Sequence, residues 1–330
     1  MKKAHGINRR DFIRQTAVAA GALSLGRNLF AGADKSMVLE VHRPGIIGRE
    51  NRPDFTGVLE MLDRGMQDFT GEKTRAGQWK RFVSPEDVVG LKVNGLGGPF
   101  MATKHELIRA VIVSLTDAGI KPGNIIVFDR YRDHLKAVVQ QSRLEDLGVR
   151  VISSEDKEGG FDEKETVYGS ASTHLTKILT EKITAMINMP IVKDHQISGT
   201  TVSLKNLSHG LTDKPWEFHA NHCDPYIAHV NAMPEIVKKH RLVIMDGLLG
   251  CCDGGPGHRP EGVVKYESLL FATDRVAIDT VATEKIEAAR KQKGFPSLAA
   301  AGRPPQYLLT AEKVGLGHHD RTGIDHRIIE

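Results

Sequence analysis

Short apolar runs rich in valine and isoleucine alternate with helical patterns from Asp87 onward. Each run is about four to eight residues long, as buried strands are, and the segments between them carry apolar residues at helical spacing. This alternation predicts an α/β fold, a mostly parallel, doubly wound sheet with helices on both faces. The expected strands are Val88–Val93, Ile125–Phe128, Arg150–Ser153, Ala185–Val192, Leu242–Met245 and Ser268–Ala272.

The same pattern predicts helices and a domain boundary. Thr273 or Asp274 is the expected N-cap of one helix, and Gly315 the expected stop of another. Residues 34–84 are expected to form an N-terminal extension packed on the core, and residues 85–330 a single α/β domain. The expected helices are His105–Ala118, Tyr226–Lys239, Arg275–Arg290 and Gln306–Val314, with a loop at Lys291–Pro305.

Polar residues follow the expected strands where each strand ends. Asn94, Asp129 and Asp246 each come directly after an apolar run, and Lys193-Asp194-His195 follows another. The carboxyl ends of parallel strands lie along one edge, where ligands bind, so these side chains are expected to converge in one crevice. Capping of turns is the alternative for single Asp and Asn residues. Three charged groups in succession exceed that need, so Lys193, Asp194 and His195 are candidate catalytic residues.

The stretch from Lys193 to Asp224 is dense in imidazole, amine and thiol groups. Imidazole and thiolate together suit zinc, iron or an iron–sulfur cluster. A polar loop held by its own hydrogen bonds is the alternative. The candidate metal ligands are Cys223, Cys251, Cys252, His222, His209 and His219.

A second candidate site lies within the same stretch. Ser198-Gly199-Thr200-Thr201 is expected to open a helix that runs to Leu207. Backbone N–H groups at a helix start bind anions, and a structural cap is the alternative. The candidate anion-binding residues are Ser198, Thr200, Lys205 and Asn206.

Residues 1–33 have the organisation of a secretory signal peptide. Arg9-Arg10 precedes Phe12, and the apolar run Thr16–Leu25 is well short of the roughly 20 residues that span a bilayer. The paired arginines indicate the twin-arginine route, which exports folded proteins that often carry a cofactor. We therefore expect cleavage after Ala33, a periplasmic location and contact with the twin-arginine translocase, an ordinary basic tail being the alternative.

The net charge and the number of cysteines limit the functions that the protein can have. Six of the 45 Lys and Arg residues but one of the 41 Asp and Glu residues lie in the leader, so the remaining chain is close to neutral. This excludes nucleic-acid binding, and the remaining chain holds no second apolar run of membrane-spanning length. The three cysteines are an odd number for an exported protein. Either Cys223 forms a disulfide with Cys251 or Cys252, or the thiols bind a metal or cluster.

The chain contains the segments VVGLKVN (88–94), NIIVFDR (124–130), INMPIVKDHQISGTTVSLKNLSHG (187–210), NHCDPYIAHVNAMPEI (221–236), LVIMDGLLGCCDGGPG (242–257) and ATDRVAIDTVATEKI (272–286). Together they resemble the domain-of-unknown-function 362 family over roughly residues 85–320. Some relatives in that family carry ferredoxin-type motifs, but this chain has no CxxCxxC run. The resemblance supports the α/β fold and the importance of Lys193, Asp194, His195, Lys205, Asn206 and His209.

These observations lead to two main hypotheses. The first is a periplasmic protein that binds an unknown metal ion or iron–sulfur cluster and has a redox or metal-assisted role, with a small-molecule substrate or a redox partner. The second is a metal-free binding protein or enzyme for a small anionic ligand, which the Ser198–Thr201 helix start, Lys193, Lys205 and Arg130 would hold. An accessory protein that escorts a partner subunit is a third possibility.

Overall fold

The computed structural model describes residues 35–330, so the expected leader and its cleavage after Ala33 lie outside the described residues. Within that range the chain forms an α/β fold built on one large sheet, as predicted. The strands are β1 Ser36–His42, β2 Val89–Val93, β3 Ile125–Asp129, β4 Arg150–Ser153, β5 Thr166–Tyr168, β6 Ala171–Thr173, β7 Ala185–Met189, β8 Ile191–His195, β9 Gly199–Thr201, β10 His240–Cys251, β11 Val263–Val264, β12 Ser268–Ala272 and β13 Ile324–Ile329.

The helices pack on both faces of this sheet. Ile125 and Val127 of β3 belong to an apolar core on one face, and Ile126 and Phe128 to a core on the other. This period of two is what a strand covered on both faces requires. The helices are α1 Phe55–Thr70, α2 Arg75–Lys80, α3 Gly98–Met101, α4 His105–Asp117, α5 Arg132–Ser142, α6 Ser203–Gly210, α7 Tyr226–Asn231, α8 Pro234–Lys239, α9 Arg275–Gln292 and α10 Tyr307–Lys313.

The order of the strands creates a switch point in the sheet. The main sheet has 11 strands with the path β13-β1-β12-β10-β7-β2-β3-β4, and β8, β9 and β11 attach beside β10. Along this path the neighbouring strands β4, β3, β2, β7 and β10 run parallel to one another. Strand β12 is antiparallel to both β10 and β1. Strands β3 and β4 extend from one side of β2, and β7 and β10 extend from the other. The carboxyl ends of β2 and β7 therefore flank a crevice of the kind that binds ligands in open α/β sheets.

Prolines divide two of the expected elements. The expected strand Ala185–Val192 is interrupted at Pro190 and becomes β7 and β8, both of which pair with the long strand β10. The expected helix Tyr226–Lys239 becomes α7 and α8, the second beginning at Pro234. Proline lacks the N–H group that a strand ladder or a helix interior needs, which explains both interruptions. Because β8 extends to His195, Lys193-Asp194-His195 lies within a strand and does not follow one.

The predicted helix start at Ser198 is wrong. Residues Gly199–Thr201 form β9, a short strand antiparallel to β8, and the helix α6 begins at Ser203. Gly199 has a φ of 80°, a conformation that glycine adopts without strain in the tight turn after β8. The predicted N-cap Asp274 is confirmed, since its carboxylate accepts hydrogen bonds from the backbone N–H groups of Val276 and Ala277.

The expected N-terminal extension is part of the sheet. Strand β1 lies between β12 and β13, and α1 packs against it. Asp54 caps α1 by accepting a hydrogen bond from Gly57 N at 2.7 Å, and the helix ends at Gly71 with a φ of 76°. Among residues 35–330, none of the helices combines the length and the apolar character that crossing a membrane requires.

Candidate functional site

A buried polar network occupies the carboxyl ends of β2 and β3. Lys92 lies inside β2, and its Nζ donates to Asp129 Oδ1 at 2.8 Å and to Asn206 Oδ1 at 3.1 Å. Asn206 in turn donates to Asn188 Oδ1 at 2.7 Å, and Asn94 donates to Asn206 Oδ1 at 3.1 Å. Every one of these side chains is buried. The network fixes α6 against the switch point, so Asn206 has a positioning role and not the anion-binding role expected from the sequence.

Lys193 is held by oxygen atoms of the loop that follows β2. Its Nζ donates to Asn94 Oδ1 at 2.9 Å, to Met101 O at 3.0 Å and to Leu96 O at 2.5 Å. An ammonium group has three donors, and these contacts use all of them. Lys193 therefore anchors residues 94–101 in this structure and has no donor left for a substrate.

Asp194 lies in a separate ion-pair cluster. Neighbouring residues of a strand point to opposite faces, so Asp194 faces away from Lys193 and His195. Its carboxylate accepts hydrogen bonds from Arg303 Nη1 at 2.6 Å and from Gly255 N at 2.7 Å, and Arg290 Nη1 lies 4.0 Å away. These contacts tie the loop before α10 to the sheet. The structure thus gives Asp194 a structural role, and the catalytic role expected from the sequence stays a prediction.

Three of the six predicted metal ligands come together. One donor atom each from His209, His219 and Cys223 lies within 4.8 Å of the other two. His209 is on α6, whereas His219 and Cys223 are on the irregular helical segment Pro215–Cys223 that follows it. Within the described part of the chain this is the one group of His, Cys and acidic residues that could hold a metal ion. We refer to these three residues as the donor group.

The electrostatics of the donor group favour neutral imidazoles. Burial lowers the pKa of His209 well below its usual value and the pKa of His219 to about 4, and the nearby Lys205 adds to both effects. Neutral imidazole is the form that binds a metal ion. Burial raises the pKa of the Cys223 thiol, although Lys205 opposes the change. Without a metal ion, Cys223 is therefore a thiol at neutral pH.

Lys205 lies against the donor group. Its Nζ is 3.3 Å from His219 Nε2 and 3.8 Å from Cys223 Sγ. Burial lowers the pKa of Lys205 to about 8, with Cys223 opposing the change. An amine with this pKa carries a labile proton near neutral pH, so Lys205 is a candidate for proton exchange as well as for binding an anion.

His195 extends the row of imidazoles. Its ring stacks on that of His219 with centroids 5.6 Å apart, and His219 meets His209 edge-on at 4.6 Å. His195 Nδ1 accepts hydrogen bonds from Ile197 N at 3.1 Å and Ser198 N at 3.3 Å. Its remaining proton must therefore sit on Nε2, and burial lowers its pKa far below the usual value. His195 positions the ring of His219.

The backbone at the end of the segment Pro215–Cys223, which carries His219 and Cys223, is strained. Asn221, His222 and Cys223 have φ angles of 49°, 56° and 68°, all in the left-handed region. Such conformations cost free energy in residues other than glycine and cluster at functional sites. Although His222 shares this segment, its ring is exposed with Nδ1 near Ile197 O at 3.2 Å, and it does not join the donor group.

The other two cysteines lie elsewhere. Cys251 Sγ donates to Asp253 O at 2.8 Å and lies 3.4 Å from Asp194 Oδ1, so it belongs to the ion-pair cluster. Cys252 packs in an apolar core. All three cysteines are free thiols in this structure. The expectation that the three thiols surround one cluster is therefore not met, because Cys251 ends β10 and Cys252 directly follows it, away from the donor group.

The start of α6 is capped by a side chain of the protein itself. Asp279 on α9 accepts hydrogen bonds from Ser203 N at 2.7 Å and Leu204 N at 2.8 Å. The predicted binders Ser198 and Thr200 are engaged internally, with Ser198 Oγ bonded to Thr200 O and Thr200 Oγ1 to the hydroxyl of Tyr307. Ser198 and Thr200 therefore lie in a turn and a short strand and not at a helix start, and the side chain that caps α6 is Asp279.

Several residues of the site were not among the candidate site residues predicted from the sequence. A lysine within an otherwise apolar strand was the available signal for Lys92, and a position at a strand end was the signal for Asn94 and Asp129. Asp279 lies within an amphipathic helix and gives no signal of its own.

These features define a doubly wound α/β protein in which buried Lys, His and Cys side chains meet at the switch point of the sheet. Residues 89–284 match the model of a family described as a domain of unknown function, DUF362. This match covers more than half of the chain, so the chain belongs to that family.

Two further comparisons concern curated proteins and solved structures. None of the curated proteins compared with the chain matches it. Among solved structures, a crystal structure of a Thermotoga maritima protein from a structural genomics consortium is similar, with a TM-score of 0.45 and 12% identity over 73% of this chain. The chain spans 59% of the length of that protein, which is less than two thirds.

Proposed function

We propose that the protein binds one transition-metal ion through His209, His219 and Cys223 and leaves a coordination position open for a substrate or redox partner. The observation that carries the proposal is the convergence of these donor atoms within 4.8 Å. Sites with three protein ligands and an open position are typical of metal ions that act on a substrate. Imidazole suits zinc, copper, iron and nickel, and a single thiolate favours one ion over an iron–sulfur cluster.

The contacts of the ligand side chains support this assignment. His219 hydrogen-bonds to the backbone carbonyls of Pro215 and Trp216, which leaves the Nε2 that faces Lys205 available as a ligand atom. A backbone carbonyl on the other ring nitrogen is the usual way in which a metal-binding histidine is oriented. His209 Nε2 is buried and has no hydrogen-bond partner among the described residues. A bound ion would satisfy that atom and would convert the Cys223 thiol to a thiolate.

The proposed function also includes the compartment in which the protein acts. The leader supports export of the folded chain by the twin-arginine translocase and a periplasmic site of action, with cleavage after Ala33. A redox or metal-assisted role outside the cytoplasmic membrane follows from this combination. Folding before export would allow the metal to be inserted in the cytoplasm.

The test is elemental analysis of protein matured in its own host and purified without oxygen. We expect about one transition-metal ion per chain in the wild type, and loss of that ion in Cys223→Ser and His209→Gln. Cys252→Ser is the matched control, because Cys252 is equally buried but lies outside the donor group, and it should keep its metal. Cobalt(II) added to metal-free protein should give a thiolate charge-transfer band that only Cys223→Ser and His209→Gln weaken. A metal-free wild-type protein that also gives no such band would reject the proposal and favour the metal-free alternative.

A further inference from the structure

Arg130 directly follows β3 and has an unusual environment. Its guanidinium lies over the rings of Tyr131, Phe161 and Trp216, with centroids 4.8, 5.4 and 5.9 Å from Cζ. The residue is 8% exposed. Stacking on aromatic faces is favourable for a guanidinium because its charge is delocalised over a plane. These rings hold the guanidinium in one position without occupying its hydrogen-bond donors.

Most of those donors have no partner. Arg130 Nη2 donates to Asp213 O at 2.6 Å, whereas Nε and Nη1 are buried and unbonded within the described range 35–330. Leaving a buried charged donor unsatisfied is costly, so the arrangement points to a ligand that completes it. Trp216 lies on the segment Pro215–Cys223, which also carries His219 and Cys223, so Arg130 contacts the segment that supplies two members of the donor group.

Two basic side chains near the donor group have no acidic partner. Among the described residues, neither Arg130 nor Lys205 has an Asp or Glu oxygen within 4.0 Å, whereas Lys92 pairs with Asp129. Buried cations normally have an anionic partner. A divalent metal ion would add further positive charge, of which the Cys223 thiolate would offset only a part.

We propose that Arg130 binds an oxyanion of the substrate, a carboxylate or a phosphate, and that the substrate reaches the donor group from there. Trp216, whose ring packs on the guanidinium, is itself 61% exposed, so the Arg130 environment reaches the protein surface at this ring. The substrate class is therefore a small organic acid or phosphate ester. This inference rests on the proposed function only in placing the anion beside a metal ion, since the anion site itself is defined by Arg130 and can be tested in metal-free protein.

The test measures the binding of inorganic phosphate and of succinate to metal-free protein by calorimetry. We expect the wild type to bind at least one of them, and Arg130→Gln to bind it at least about tenfold more weakly. Arg132→Gln is the matched control, because Arg132 is exposed, pairs with Asp156, and should bind like the wild type. Arg130→Lys keeps the charge without the planar donor set and should show intermediate affinity. If Arg130→Gln does not fold, the affinity of Arg130→Lys is compared with the wild type instead.

Three outcomes would overturn the inference. They are no binding of either anion by the wild type, equal binding by wild type and Arg130→Gln, and equal loss of binding in Arg130→Gln and Arg132→Gln. Metal content measured on the same variants separates this inference from the proposed function. Weak anion binding with full metal content is expected for Arg130→Gln. A wild type that is isolated without metal and binds no cobalt(II), but still binds anions through Arg130, would reject only the metal site.

Discussion

The carboxylate of Asp279 accepts a hydrogen bond from the backbone N–H of Ser203 at 2.7 Å, and through this contact α9 holds the first turn of α6. Helix α6 carries both Lys205 and His209, so the position of the donor group depends on a residue far from it in the sequence. A carboxylate at a helix start satisfies N–H groups that the helix itself leaves free.

Replacing Asp279 should therefore affect both stability and metal binding. We expect Asp279→Ala to lower the free energy of unfolding by about 2–3 kcal/mol, because two buried N–H groups lose their acceptor. Asp279→Asn keeps one acceptor oxygen and should lose about half as much. Urea unfolding of the two variants measures the difference. Equal losses in both variants would show that the hydrogen bonds to α6 are not the source of the effect.

A second prediction separates the structural role of Asp194 from a catalytic one. We expect Asp194→Asn to lose about 3 kcal/mol of stability, because Arg303 and Arg290 are buried and would lose a charged partner. The folded fraction should keep its full metal content. Asp325→Asn removes an exposed pair with Arg327 and should change stability by less than about 1 kcal/mol. Loss of metal from folded Asp194→Asn would contradict the assignment.

The third prediction concerns the amine beside the donor group. Lys205→Met removes a positive charge within 4 Å of two ligand atoms, so zinc affinity should rise at least about tenfold at neutral pH. Competition with a chromophoric chelator measures this affinity on metal-free protein. Lys214→Met is the control, since Lys214 is half-exposed, pairs with Glu165 and should leave the affinity unchanged. A fall in affinity in Lys205→Met would instead identify Lys205 as a ligand.

The fourth prediction concerns pH. Burial alone would raise the pKa of Glu40, but hydrogen bonds from His326, Lys285 and Ser268 outweigh it and hold the pKa at about 2, below the usual 4.5. A depressed folded-state pKa stabilises the protein above pH 4.5, and this contribution disappears as the pH falls towards 2. The difference in unfolding free energy between wild type and Glu40→Gln should be about 3 kcal/mol at pH 7.

That difference should shrink as the pH falls below about 4.5. Unfolding of both proteins across this range, with the exposed Glu60→Gln as control, provides the measurement. A difference that stays constant from pH 7 to pH 3 would contradict the role given to this carboxylate.

Local sequence patterns predicted the structure correctly where an element depends on residues of a single segment. Strand β12 at Ser268–Ala272 and the cap at Asp274 follow from an apolar run and an adjacent carboxylate, and both are confirmed. The convergence of Asn94 and Asp129 also follows, because parallel strands place their carboxyl ends at the same edge.

Other features depend on contacts between segments that are distant in the sequence, and local sequence patterns do not predict these contacts. Ser198 to Thr201 has residues suited to a helix cap or to a turn, and pairing with β8 selects the turn. The partner of Lys92 lies 37 positions away, and the cap of Ser203 lies 76 positions away. Cys251 is separated from the donor group because the long strand β10 places it beside Lys193 in register, away from α6.

The parallel pairing of β1 with β13 has a consequence for the order of synthesis. Residues 36–41 leave the ribosome early, yet they pair with residues 324–329, which are made almost 300 residues later. That edge of the sheet therefore cannot close until residues 324–329 have been synthesised, by which time the other strands of the sheet have already left the ribosome. Closing this edge is a step that the strands made earlier have to wait for.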